Sequence, residues 1–514
     1  NLLKNRNDQL ALPGILIVYV ALWALVKAIF SANLDRYADM LEGFAWGQVF
    51  SWGSFKHPPL VGWIAGSWFS IFPTNDQLYF LLSYLIAAGG LLGVFRLSMA
   101  AGLGRLSIAV VLLQMCALPY TTLAGKFNAN SILLLVWPWV VLIWWKCIHL
   151  SGSTYTNSLF LGLCAALAML GKYYSGVLLL ALGIVTVISE PGRQWLKTPK
   201  PWFALVVFFI ALLPHISWLQ SHEFITFKYV GDQGGGGISW TNLIKFLLAP
   251  LIYWGVALLI CVGLFGNRRI GWLSRIWLAW QPAGWRDYLF WVVMLPYVLT
   301  LLFGLSGFVE LSLPWSIPIG FGFPILWLRN LTQRDALHDE AVMNSRTLGR
   351  WLIIMVLIVL VGAGIDRVRA TMTKEDIVYL PRREAAREML ARWDSSGKPE
   401  RPAWVAGIWA ENASVAFYGD RKIKVLPGFP DQPPATLDDS LSRIWEDKYG
   451  LIYCPPVAGA SELQESCEQD AREWLTSHEL PIDEVEFVAH RSGWTFPDPK
   501  RYRYVGFMVA PKEQ

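Results

Sequence analysis

The sequence predicts a polytopic α-helical membrane protein with a soluble, mixed α/β domain at its C-terminal end. Three observations lead there. Of 514 residues, 54% are hydrophobic and only 16% charged, where a soluble globular chain carries about a quarter charged. Mean hydropathy is +0.40, and there are 28 tryptophans. Charge also divides the chain: up to residue 368 there are 24 basic against 14 acidic residues, net +10, and beyond it 19 against 24, net −5. We therefore expect a membrane domain over 1–368 and an exported domain over 369–514. The basic residues sit in short loops between apolar runs, where they set orientation in the membrane and form no nucleic-acid-binding surface.

Apolar runs that meet or approach the roughly 20 residues needed to cross a bilayer lie at 10–32, 77–97, 104–122, 131–149, 157–171, 174–189, 201–220, 242–266, 287–307, 311–329 and 349–366. About 11 to 13 crossing helices are expected. The stretch 59–73 reaches only about 22 Å at about 1.5 Å per residue, so it reads as a re-entrant or interfacial helix within a first exported loop spanning 33–76. With eleven spans, the N-terminal-side loops carry sixteen basic residues, Lys4, Arg6, Arg96, Arg105, Arg268 and Arg269 among them. The opposite loops carry Arg36, Lys56, Lys126, Lys172 and Lys228. The positive-inside rule then makes the N-terminus cytoplasmic and exports the tail. The first apolar run is long and lacks a small-residue cleavage site, so no cleavable signal peptide is expected.

In the tail, 381–393 has helical spacing with Pro381 suited to a first turn. Segments 403–408, 413–418, 449–453 and 501–509 read as strands, and Pro-rich 425–434 as a loop. Cys454 and Cys467 stand alone in this exported domain, where a disulfide closing a short loop is plausible; Cys116, Cys147, Cys164 and Cys261 lie in or beside apolar runs as small buried hydrophobes. Gly234 to Gly237 would serve as a mobile flap or as an inert linker.

The chemistry-bearing residues cluster in the exported loops. If 35–50 is helical, Asp35, Asp39 and Glu42 stack on one face at spacings of four and three. Such crowded carboxylates suit a general base or a cation site, or form a plain acidic face. Lys56 and His57, ahead of Pro58-Pro59, place two potential cations on a stiff turn at the membrane surface, suited to a lipid phosphate. Lys126, Asn128 and Asn130 in the second loop, and Lys172, Tyr173 and Tyr174 in the third, supply the hydrogen bonds and charge a sugar or phosphate site requires. Glu42, His215 and His222 are candidate ligands for a divalent cation, although their spacing is not diagnostic.

Together these motifs resemble a known family. Asp39-x-x-Glu42-x-x-x-Trp46-Gly47, Gly53-x-x-Lys56-His57-Pro58-Pro59-Leu60-x-x-Trp63, Lys126-Phe127-Asn128-Ala129-Asn130 with Trp137-Pro138, and Lys172-Tyr173-Tyr174 look like the bacterial branch of the protein-mannosyltransferase-like type C (GT-C) glycosyltransferases. Its relatives include the aminoarabinose and galacturonic acid transferases acting on lipid A and lipopolysaccharide core. The aminoarabinose enzymes differ in a longer first loop and an acidic-Lys-Pro-Pro motif where this chain has Lys56-His57-Pro58-Pro59.

The resemblance implies a GT-C fold, a polyprenyl-phosphate-linked sugar as donor, an outward-facing site in the first loop and inversion at the anomeric carbon. It places the protein in a bacterial inner membrane, with its site and tail periplasmic and a glycolipid, lipid A or core, as acceptor. On that reading Asp39 is the base and Glu42 orients it. Lys56, His57 and Lys172 face the donor phosphate; Asp35, Lys126, Asn128, Asn130, Tyr173 and Tyr174 bind sugar or acceptor; the prenyl chain lies beside 59–73. The rival readings are a protein O-glycosyltransferase of the same superfamily and a non-catalytic transporter of prenyl-phosphate sugars. A transporter would place ionisable groups near the bilayer midplane, where this chain has chiefly Lys27.

Overall fold

The computed structural model describes residues 2–149, 154–233, 237–265, 270–307, 309–334, 345–373, 380–430, 441, 443–491 and 500–512. The membrane domain runs α1 (Leu2–Phe30), α2 (Asp39–Gly47), α3 (Leu60–Ile71), α4 (Asp76–Ala100), α5 (Leu106–Gln114), α6 (Ile132–His149), α7 (Tyr155–Gly171), α8 (Ser175–Ile188) and α9 (Glu190–Leu196). It continues α10 (Lys200–Ser221), α11 (Ile225–Gln233), α12 (Trp240–Leu247), α13 (Ala249–Phe265), α14 (Trp272–Ala279), α15 (Tyr288–Leu305), α16 (Phe323–Arg334) and α17 (Ser345–Thr373). Residues 234–236 of the glycine patch and 431–434 of the Pro-rich loop lie outside the described residues.

Among the described residues, seven helices are long and apolar enough to cross a membrane, or up to nine if each of two bent pairs forms one span. The count of eleven or more is not reached by this measure: the run 157–171 forms a helix of only 17 residues, and three other runs are broken. The run 104–122 breaks after α5 and turns by 83° into the segment Leu118–Gly125, where Pro119 stands in the first turn. The run 174–189 ends where Ser189 caps α9, which departs at 94°. The run 311–329 holds Pro314, Pro318 and Pro324, whose missing donors divide it into 3-10 turns at Leu313–Ser316 and Ile319–Gly322 ahead of α16. Hydropathy reads all of these as single apolar runs because it is blind to such breaks.

The short helix expected at 59–73 is α3, of 12 residues. It packs against α2 at nearly backbone distance, since a β-carbon on Gly47 would lie 2.5 Å from the Gly66 nitrogen and one on Gly66 would meet the Gly47 carbonyl. A cavity of about 30 Å³ lies between α2, α3 and Trp409. Replacing Gly66 by Ala must push the two helices apart, and overpacking of this kind costs about 1–3 kcal/mol. A lowered melting temperature of the full-length protein in detergent is the expected result; an unchanged one would show that α2 and α3 separate freely.

The tail has a five-stranded sheet in the order β2-β1-β3-β5-β4. Strand β1 (Trp404–Gly407) pairs in parallel with β2 (Lys424–Val425) and β3 (Gly450–Cys454). The antiparallel strands β5 (Arg501–Val509) and β4 (Glu484–His490) complete the sheet beyond β3. Its helices are α18 (Arg382–Ser395), α19 (Ala413–Tyr418), α20 (Ile444–Asp447) and α21 (Ser461–Ser477). The expected helix at 381–393 and strands at 403–408, 449–453 and 501–509 are present; 413–418 is a helix and not a strand. A six-residue apolar run does not distinguish the two by period, and tertiary burial of Phe417 decides it. A disulfide joins Cys454 to Cys467. The boundary expected at 368 falls inside α17.

The tail is bound tightly to the loop 33–76. Arg382 forms a two-pronged ion pair with Glu411 (2.7 and 2.6 Å) and also donates to the carbonyls of Asp35 and Arg36. Arg491 reaches the Asn33 side chain and the Ala32 carbonyl, Arg383 pairs with Asp76, and Gln48 bridges Ile423 and Val425. Phe417 packs on Phe44, Phe69 and Tyr79. The tail thereby holds the loop that carries the carboxylates.

Candidate active site

The chain bends through 32–38, and α2 begins only at Asp39. Asp35 is therefore not on a helix face with Asp39 and Glu42. Instead its carboxylate, 3% exposed, accepts backbone N–H bonds from Tyr37 (2.8 Å), Asp39 (3.1 Å) and Met40 (2.9 Å). Ala38, at φ 59°, is left-handed, a conformation costing roughly 1–2 kcal/mol outside glycine. The bonds to Asp35 hold that strained turn in place.

Asp39 then projects among groups from three loops. Lys126 Nζ lies 2.8 Å from its Oδ2 and 3.8 Å from Asp35 Oδ1, with the Tyr37 ring 5.3 Å from the ammonium. Asn128 Nδ2 donates to the same Oδ2 at 3.2 Å. Asn128 Oδ1 accepts from the backbone N–H groups of Asn130 and Ser131 (2.9 and 3.1 Å), a local turn of the kind asparagine favours that leads into α6. Asn130 in turn accepts from Lys172 Nζ at 2.5 Å. Both donors to Asp39 use Oδ2; among the described residues Oδ1 has no hydrogen bond, and the side chain is 28% exposed.

Lys172, set between α7 and α8 with Trp315 at 5.3 Å, has its ammonium lowered to about 7 by burial; Asp39 opposes this shift and Lys56 adds to it. Burial, then Lys172 and Lys56, hold His57 well below the ordinary imidazole range. At neutral pH His57 is thus a neutral hydrogen-bonding ring and not the second cation expected. Glu42 grips Lys56 with both oxygens (3.2 and 2.9 Å) and accepts from Trp409 Nε1 at 2.7 Å. Burial raises the Glu42 carboxyl, against the pull of Lys56 and Trp409.

Other candidates are committed elsewhere. The Tyr173 hydroxyl meets His215 Nε2 at 2.7 Å, and the Tyr174 hydroxyl meets Thr300 at 2.7 Å. His215 Nδ1 bonds the Trp52 carbonyl and His222 Nδ1 the Trp218 carbonyl. Among the described residues no three His, Cys, Asp or Glu side chains converge to hold a metal, and Glu42 already has Lys56 and Trp409. The donor set does not fit the suggested cation.

A cavity of about 1030 Å³ opens beside Asp39, Lys126, Asn128 and Asn130 and extends past Lys27 to Val359 and Asp366 of α17. Sequence reasoning missed Trp409 and Trp315, which reach the site from distant segments with no local pattern to mark them. It noted Lys27 only as a charge within a span.

Residues 56–218 match the family profile described as dolichyl-phosphate-mannose-protein mannosyltransferase. The structure of ArnT from Cupriavidus metallidurans in the apo state is similar at a TM-score of 0.55 and 14% identity, covering 97% of this chain and 98% of that one. The fold is GT-C. The same ArnT bound to undecaprenyl phosphate is similar at a TM-score of 0.55 and 13% identity, over 96% and 98% of the two chains. A comparison with curated protein sequences finds no match. The profile match includes Lys56, His57, Lys126, Asn128, Asn130 and Lys172, while Asp35, Asp39 and Glu42 precede it and Trp409 follows it.

Proposed function

We propose that the protein is an inverting glycosyltransferase that moves a sugar from a polyprenyl-phosphate donor to lipid A, lipopolysaccharide core or a related envelope glycan, on the periplasmic face of a bacterial inner membrane. The observation that carries this reading is Asp39, whose Oδ2 is held by Lys126 and Asn128 while Oδ1, among the described residues, has no hydrogen-bond partner beside a cavity of about 1030 Å³. Asp35 is enclosed by backbone donors and Glu42 by Lys56 and Trp409, so Asp39 is the carboxylate placed to take a proton.

The acceptor hydroxyl attacks the anomeric carbon from the side opposite the phosphate and gives its proton to Asp39 Oδ1. The bond from carbon to phosphate oxygen breaks, and its electrons leave with the polyprenyl phosphate. A single displacement inverts the configuration. Lys172, when protonated, and an N–H of His57 stabilise the departing phosphate, an electrostatic effect often worth a few kcal/mol per well-placed donor. Lys56 acts chiefly as the counter-ion of Glu42. A family profile for mannosyl transfer and a similar structure titled with undecaprenyl phosphate support a prenyl-phosphate donor.

Mass spectrometry of lipid A, core oligosaccharide and other envelope glycans, from cells with and without the gene, tests this reading. The expected result is loss of one sugar-sized increment from one glycolipid. Unchanged glycans with accumulation of a prenyl-phosphate sugar would overturn transfer in favour of transport.

A further inference from the structure

Lys27 is the feature that the mechanism above leaves unused. It lies in the last turn of α1, within a segment apolar enough to cross the membrane, where an ionisable residue is costly and usually serves a function. A lysine so near a helix end could simply extend its ammonium to the lipid headgroups. Packing directs it elsewhere. A β-carbon on Gly125 would sit 2.5 Å from Lys27 Cε and 2.9 Å from the Tyr84 hydroxyl, so the lysine stem crosses the bare backbone of Gly125 inside the protein and lines the large cavity.

Among the described residues the Lys27 ammonium has no hydrogen bond or ion pair, and the charges it feels are those of Asp35, Arg36 and Lys126. Asp35, the one carboxylate of the three, is saturated by backbone donors and shared with Lys126. The same cavity is lined by apolar Trp23, Val26 and Phe30 of α1 and Val359, Gly362 and Ala363 of α17, with Arg36, Asp366 and Arg367 also on its wall. A cation and apolar side chains, in the cavity that Asp39 faces, match an amphiphile with an anionic headgroup and acyl chains.

We propose that this end of the cavity is the acceptor subsite, and that Lys27 binds a phosphate or carboxylate of the acceptor glycolipid, directing its hydroxyl toward Asp39. The inference rests on the transferase reading and adds the charge of its acceptor. The donor phosphate is assigned to Lys172 and His57, so the two anionic lipids have separate cations.

The test measures binding without turnover, using the full chain in phosphatidylcholine nanodiscs. The probes are bisphosphorylated lipid A, the same lipid A stripped by phosphatase, and undecaprenyl phosphate. Wild-type protein is expected to bind phosphorylated lipid A about tenfold more tightly than the stripped form, the factor that about 1.4 kcal/mol supplies. Lys27→Gln removes that preference and leaves undecaprenyl phosphate binding unchanged; Lys27→Arg restores it. Equal binding of the two lipid A forms by wild type, or an intact preference in Lys27→Gln, overturns the proposal. Loss of undecaprenyl phosphate binding instead assigns Lys27 to the donor and overturns it equally. Because no sugar is transferred, failure here is distinct from failure of the transferase reading, which the glycan masses decide.

Discussion

Replacing Asp39 by Asn lowers the rate of sugar transfer by about 10²–10⁴-fold, the usual contribution of a positioned general base. Asparagine keeps the shape of the side chain and an oxygen for Asn128 Nδ2, which donates to Asp39 at 3.2 Å, but it cannot take a proton. The loss should therefore fall on kcat, with undecaprenyl phosphate still bound and the melting temperature nearly unchanged. Single-turnover transfer from a radiolabelled donor by the purified protein measures it. The alternatives are structurally distinct: Asp35→Asn should act by loosening the turn at Ala38, since that carboxylate holds three backbone N–H groups, and should cost stability before activity. Full activity in Asp39→Asn would remove the base from the proposed mechanism.

The second large effect is at Lys172. Its truncation to Ala should cost about 10²–10³ in kcat, the range for losing one preorganised donor to a developing anion. The pH dependence is more specific. Burial lowers the Lys172 ammonium to about 7, so the group is charged below that value and neutral above it. A departing phosphate requires the charged form, and kcat/KM reports the free enzyme. It should accordingly be level on the acid side of about 7, as far as Lys172 is concerned, and fall as pH rises through that value. Arginine stays charged across the whole range, so Lys172→Arg should move the alkaline fall to higher pH even if its absolute rate is lower. An alkaline limb identical in Lys172→Arg and wild type would show that another group titrates there.

The parts of this site that local sequence makes readable are those set by neighbours in the chain. Asn128, Asn130 and Ser131 build their own turn, and Pro58-Pro59 precede α3, so the spacing of polar residues between apolar runs locates the loops. Asp39 and Glu42 are indeed three apart on one helix. Asp35 differs because the helix that would have placed it beside them starts four residues later, after a left-handed Ala38 that no propensity favours. The strand expected at 413–418 failed for a related reason: a short apolar run takes its form from what it is buried against, here Phe44, Phe69 and Tyr79 of the membrane domain.

Composition, hydropathy and charge balance by themselves determined that the chain is a multi-pass membrane protein with a separate acidic tail, because the cost of exposing polar groups to lipid acts on every residue and leaves its mark over the whole length. They also picked out the polar loops that hold the candidate site residues. Only the tertiary structure decided how the charges are divided: Glu42 to Lys56 and Trp409, Asp35 to the backbone, Asp39 to Lys126 with one oxygen open, and Lys27 to the cavity. Each partner but one lies outside the neighbouring turns of chain, Trp409 being 367 residues from Glu42. Coulomb energy and desolvation depend on distance in space and on burial, and neither quantity is written in the local sequence.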